Sequence, residues 1–234
     1  MLYIAAVFNA VAAPVNDAQL TSLKEKVAAA IVKFEQTPKE DWAFQVSRYE
    51  DEEGDVTSSI EQFSPQLTNQ WLLKQINGEK PTEKQSTDFV QKKQKQSKAM
   101  KEGENTQLKL RKLVNQESLS LISTNERHIV MSFNVDLEKL GKDSQGKLQG
   151  KLTYHKQDKF IEEIFIWNKA EFSPMLTANI TDLAITFSFV HIDGAILPQQ
   201  NEMKMKGSFA YFTEIDESSV DRFSDYHYQG KLTH

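Results

Sequence analysis

The sequence predicts an α+β fold: a curved antiparallel β-sheet of about ten strands, a half-open barrel, wrapped over one amphipathic N-terminal helix and interrupted by an inserted polar helix. Three observations predict it. A single apolar stripe of helical period precedes Trp42, where the period changes to 2. Turn signals then recur every dozen residues or so, the rhythm of an antiparallel meander rather than of βαβ units. And so many strands cannot lie flat and open, so they must curl, with a helix laid on the curved face.

In chain order, Met1 to Phe8 are nearly all apolar and lead into Asn9-Ala10-Val11-Ala12-Ala13-Pro14, whose Ala-x-Ala reads as the end of a secretory signal peptide. No basic residue precedes Leu2. The expectation is a signal remnant over 1–12, then a single domain over 13–234, exported and soluble in the periplasm. A short buried N-terminal strand is the competing reading of that run. Asp17 next opens a helix in which Leu20, Leu23, Val27, Ala30, Ile31 and Phe34 form one stripe, ending before Pro38.

Trp42, Phe44, Val46 and Arg48 alternate with Gln45, Ser47 and Tyr49, a half-buried strand. A three-residue loop of Glu52, Glu53 and Gly54 would place Val46 opposite Ile60 and Arg48 opposite Ser58. Pro65 ends the second strand, and Trp71 to Ile76 form a third before Asn77-Gly78 turns the chain. Thr82 with Gln85 is a helix start, predicting a helix from Glu83 to about Lys101. Its few apolar residues, Phe89, Val90, Ala99 and Met100, suit a mobile flap more than a core element. Strands follow over Leu119–Ser123, Ile129–Val135, Lys147–His155 and Lys159–Trp167, then a long strand with Leu183, Ile185, Phe187 and Phe189 on one face that ends at Asp193-Gly194, and finally Met203–Tyr211 and Val220–Tyr228.

Composition removes whole classes of function. With no Cys there are no disulfides, thiolate zinc sites or cysteine nucleophiles. A net charge of −5 argues against nucleic acid as a partner. Residues 80–112 depart from that average, with nine Lys and one Arg against four acids. Lys92, Lys93, Lys95, Lys98 and Lys101 could address an envelope protein or an anionic membrane surface, or simply form a solvated face. Nucleophile elbows, phosphate loops, dinucleotide turns and His-Glu-x-x-His are absent. His191 with Asp193 and Asp225 with His227 each share a strand face, which is necessary for a general base and far from sufficient. No catalytic residue, metal ligand set or cofactor is assigned.

The order of signal-like segment, amphipathic helix, three strands, inserted helix and long second meander resembles the periplasmic lipoprotein carriers of the LolA, LolB and LppX kind. Trp42, Arg48, Glu61, Phe63, Pro65, Trp71, Gly78, Pro81 and Thr82 are similar to a group of uncharacterised secreted proteobacterial proteins. So are Glu171-Phe172-Ser173-Pro174, Leu197-Pro198 and Ser224-Asp225-Tyr226. The tryptophan-rich strands that LolA proteins carry after the first hairpin are not found, and without a lipobox Cys a membrane-anchored LolB-type protein is not encoded. The resemblance implies an apolar cleft between sheet and helices that receives acyl chains, and a functional arginine that would be Arg48.

On that reading the chain is a non-catalytic carrier or binding protein for a lipid, a lipoprotein acyl chain or another amphiphile. The rivals are an envelope interaction protein with a filled core, and a hydrolase whose site is hidden from linear sequence. Trp42, Phe44 and Val46 on the first strand and Trp71 and Leu73 on the third are expected to line the cleft. Further along come Met131, Phe133, Ile185, Phe187 and Phe189, then Met203, Met205 and Phe209. Each of these could equally be plain core. Arg48 shares a face with Trp42, Phe44 and Val46, where it could hold a headgroup or pair with Glu50 or Asp55.

Overall fold

Asn16 starts the first helix by accepting the Gln19 amide on its side chain, while the Gln19 side chain accepts the Asn16 amide. The computed structural model describes residues 16–101, 109–135, 137, 140–210 and 213–230, so the signal-like segment 1–12 lies outside it. Helix α1 (Asp17–Gln36) buries Val27, Ala30, Ile31 and Phe34, the C-terminal part of the predicted stripe. The Thr37 hydroxyl then accepts the Ile196 amide and fastens the helix end to the sheet.

Eleven strands form one antiparallel sheet. They are β1 (Trp42–Glu52), β2 (Asp55–Phe63), β3 (Trp71–Ile76), β4 (Ser120–Thr124), β5 (His128–Asn134), β6 (Leu148–His155), β7 (Phe160–Asn168), β8 (Phe172–Met175), β9 (Ala178–Ile192), β10 (Ala195–Phe209) and β11 (Thr213–Tyr228). Between β3 and β4 lie α2 (Glu83–Lys101) and the short α3 (Leu110–Leu113). The Thr82 and Gln85 pair caps α2 as the sequence requires.

The strand order is β3-β2-β1-β11-β10-β9-β7-β6-β5-β4, with β8 paired to β9. The first and last strands are therefore neighbours in the middle of the sheet, and the chain passes from one edge at β3 to the other at β4. β8 is an extra strand that the alternation rule does not announce, because it is four residues long and contains Pro174.

The β1–β2 hairpin corrects the expected register. Glu53 and Gly54 both take positive φ, 57° and 92°, so the connection is a two-residue turn of the kind whose twist suits a hairpin. Val46 thus faces Glu61 instead of Ile60, and Arg48 faces Ser59 instead of Ser58. One residue of slip exchanges an apolar partner for a carboxylate.

Pairing places Met131, Leu152, Ile164, Phe187, Asn201, Asp221 and Arg48 in one row across the sheet. Both long helices lie on this face. α1 packs on β7 and β10, and α2 on β3. Beneath α1 the space is filled: Met131, Phe133, Leu152, Ile164 and Ile166 have no exposed surface, and Phe34 meets Phe189 edge to ring at 4.8 Å. Phe133 lies flat over Gly150, where an added Cβ would fall 2.2 Å from the ring.

Candidate functional site

The expected hollow under the N-terminal helix is therefore a core. Met131, Phe133 and Phe189 are packed interior residues and line no cleft. Trp42 belongs to a second, small cluster with Ala195 and Leu197, flanked by Val190, Ile192 and Tyr226. Phe209, at the end of β10, is 44% exposed. Phe44 joins Phe63, Trp71, Phe223 and Tyr226 in an aromatic group, with Val46 and Leu73 buried beside it.

What the pairing leaves uncovered is the strip between the helices. α1 contacts β7 and β10 and α2 contacts β3, so β11, β1 and β2 lie between the strands on which the two helices rest. Ile185, Phe187, Met203 and Met205 form its floor on the α1 side, each partly exposed. Asn201, Ser219, Asp221 and Arg48 continue the same rows toward α2, so the strip is apolar on one side and polar on the other.

The polar side is an ion network absent from the sequence reading. Glu61 is only 5% exposed. Its Oε1 accepts from Arg48 Nε at 3.0 Å and its Oε2 pairs with Lys93 Nζ at 2.7 Å. Arg48 also binds Asp221. Burial opposes the Arg48 charge, but Glu61 and Asp221 outweigh it and hold the guanidinium above its ordinary pKa. Burial likewise pushes the Lys93 ammonium down, with Glu61 resisting. The Lys93 amine stands 4.2 Å from the centre of the Trp71 ring, a cation–π contact. Two cations meet two carboxylates, so the network is electrically closed. Arg48 is spent on Glu61 and Asp221, not on Glu50 or Asp55.

Lys93 is thereby removed from the outer basic surface. Ser86, Phe89, Val90, Lys93 and Ser97 are the half-buried stripe of α2, while Lys84, Lys92, Lys95 and Lys98 are exposed. The side chain of Lys101 lies outside the described residues. Between α2 and the β2–β3 loop runs a groove of about 590 Å³ bordered by Leu67, Trp71, Val90 and Lys93. A second, of about 660 Å³, lies between the end of α1 and the β9–β10 turn, bordered by Val32, Trp42, Ala195 and Tyr228.

The histidines gather elsewhere. His155 Nδ1 lies 3.1 Å from Asp158, and His191 lies 4.0 Å from the same carboxylate with Lys33 Nζ 3.3 Å from its Nε2. His191 thus addresses Asp158 and Lys33, whereas Asp193 sits in the following turn with a φ of 48°. Asp225 lies in the irregular step between Ala43 and Gln45 and their β11 partners and bonds Ser224, so it does not present a face with His227. Among the described residues no group of three or more His, Asp and Glu is arranged to hold a metal ion.

Sequence reasoning named Glu61 and Lys93 but missed their pairing with each other and, through Glu61, with Arg48. A lone glutamate at an inward strand position and a lysine on the stripe of Phe89 and Val90 were the available signals.

No known protein family matches the sequence, and no curated protein matches it. Among solved structures, the chain is similar to a DUF1329 family protein from Desulfovibrio piger. The two are 9% identical over 92% of this chain and 95% of the other, with a TM-score of 0.37.

Proposed function

We propose that the chain is a non-catalytic binding protein or carrier for a lipid or other amphiphile, working in the periplasm, with the ligand seated in the strip between α1 and α2. The observation that carries this reading is the partly exposed floor of Ile185, Phe187, Met203 and Met205, bordering the core on the same face as both helices. Each CH₂ that leaves water there contributes about 0.8 kcal/mol, so an acyl chain binds without special polar chemistry. Methionine side chains adapt to chains of different length and unsaturation.

Arg48, Lys93, Glu61 and Asp221 balance one another, and the Met205 and Met203 rows end in the carboxylates of Glu217, Glu52 and Glu50, which disfavour an anionic headgroup. Asn201 and Ser219 supply neutral hydrogen-bonding groups beside the floor. The favoured ligand class is an amphiphile with a neutral or zwitterionic head. α2 is the movable wall of this site, since it rests on the sheet through a narrow stripe.

Mass spectrometry of an organic extract of the purified protein, with uptake of a fluorescent fatty-acid probe run beside it, tests the proposal. The expected result is a stoichiometric amphiphile and a probe affinity that falls about tenfold in Met203→Asp while the melting temperature stays within a few degrees. Absence of both bound lipid and probe uptake would overturn it.

A further inference from the structure

Ala178, the first residue of β9, pairs with Met175 of β8 on one side and with Phe209 of β10 on the other. The two-residue turn between Met175 and Ala178 carries Leu176, which is 98% exposed. Met175 is 58% and Phe209 44% exposed, so three large apolar side chains share one protruding end of the sheet.

This end is held in place. The Ser173 amide donates to Asp143 Oδ2 at 2.8 Å, and Gly141, at φ 79°, lets the Pro174 backbone approach where a Cβ would lie 2.5 Å from its carbonyl oxygen. The Ala210 amide donates to the Thr177 carbonyl at 2.6 Å, tying the two neighbouring turns together. Alternate β10 residues Met203, Met205, Gly207 and Phe209 form a column from the floor of the strip to this tip. Gly207 keeps the column low, because a Cβ there would fall 2.1 Å from the Asn179 carbonyl oxygen.

We infer that this tip inserts into the surface of a zwitterionic lipid bilayer and that ligand passes between bilayer and strip along the β10 column. The inference rests on the amphiphile-binding reading and adds the source of the ligand. A projecting turn with a leucine almost wholly in water matches a fluid apolar phase that closes around it, and three such side chains at one end are the pattern of a shallow interfacial anchor. Charge decides the kind of bilayer. Asp143, Glu171, Asp182, Glu214 and Asp216 stand behind the tip with Lys142, Lys147, Lys169 and Lys206, and Lys147 and Lys206 are already paired with Asp143 and Asp216 at 2.9 and 3.0 Å. This end therefore presents no excess of positive charge to hold an anionic surface, and a neutral one admits it.

The test is co-sedimentation of the full chain with sucrose-loaded vesicles of phosphatidylcholine and phosphatidylethanolamine. Uptake of a soluble fluorescent fatty acid and sedimentation velocity are measured alongside. The wild type should bind the vesicles, Leu176→Asp and Phe209→Ser should each weaken that binding about tenfold or more, and added phosphatidylglycerol should not strengthen it. Leu176→Asp should take up the soluble probe like the wild type, because Leu176 lies in the turn, outside both the strip and the β10 column. Vesicle binding unchanged in Leu176→Asp would overturn the inference. So would a wild-type dimer that the same substitution dissolves, since a second copy would then cover the tip. Vesicle binding lost in the variants, with no probe uptake even by the wild type, would support the anchor and sink the binding site.

Discussion

Replacing Glu61 by Gln and Lys93 by Met, singly and together, measures what holds α2 against the sheet. The Lys93 and Glu61 charges are in contact at 2.7 Å, and at an effective dielectric of ~20 their attraction amounts to about 6 kcal/mol. Desolvation of the two largely buried ions and the share of Glu61 already taken by Arg48 offset most of it, leaving about 1–2 kcal/mol. Glu61→Gln alone should cost more, about 2–3 kcal/mol, because Arg48 and Lys93 would then share Asp221 as their remaining acid. Lys93→Met should cost about 1–1.5 kcal/mol, since the methionine keeps the apolar contact with Trp71 and Phe89. The double variant should fall short of the sum by at least 1 kcal/mol. Amide hydrogen exchange over residues 86–97 reads this directly, because opening of α2 by 1.4 kcal/mol accelerates exchange about tenfold. Strictly additive effects, or exchange in α2 that neither substitution changes, would refute the role of the ion pair as the fastening of this helix.

Other outcomes follow from the packing and the charges. Phe133→Asp should abolish the folded state, because it buries a carboxylate in a filled core at a cost of more than about 4 kcal/mol; a soluble variant with a native circular dichroism spectrum would contradict the filled core. Gly150→Ala should lower the urea midpoint by the equivalent of about 2–3 kcal/mol, as its methyl group displaces the Phe133 ring. The Asp143 carboxyl is held below its ordinary 3.8 first by the Ser173 amide and then by Lys147. A lowered carboxylate adds stability that is full above the ordinary value and is lost as pH falls through the folded one. Protection of the Ser173 amide should therefore hold at pH 5 and above and decay as pH drops below about 3.8. Asp143→Asn should remove that pH dependence.

Much of this architecture could be read from residue order, and what could not has a common physical cause. Both long helices were legible because their signals are local: the Thr82 and Gln85 cap and the Leu20-to-Phe34 stripe lie within a few turns of one helix. Strand alternation from Ile129 to Phe133 and from Leu183 to Phe189 was equally local. The β1–β11 pairing was not, since Arg48 and Asp221 stand 173 residues apart and nothing near either announces the other.

The candidate site failed to be legible in the same way. Alternation correctly put Phe44, Val46, Met203 and Met205 on one face. It could not say that Met131 and Phe133 would be fully buried while Met205 stays partly exposed. A one-residue difference in turn length was enough to hide Glu61 as the partner of Arg48. Lys93 was grouped with Lys92 and Lys95 as an outward docking or solvated charge, although its spacing from Phe89 and Val90 places it inward.

The adjacency of β1 and β11 also bears on how the polypeptide acquires its shape during synthesis. Trp42 finds its strand partner at Tyr228, so the inner edge of the β1–β2 hairpin must wait unpaired until β11 has been made. Contacts of such sequence separation are slow to form and leave an adhesive edge open to other nascent chains in the meantime. Ser47, Tyr49, Glu50 and the acidic Asp51-Glu52-Glu53 turn make that waiting edge hydrophilic along half its length. The carboxylates of this hairpin thus serve as its guard during biogenesis, before the last strand arrives to cover it.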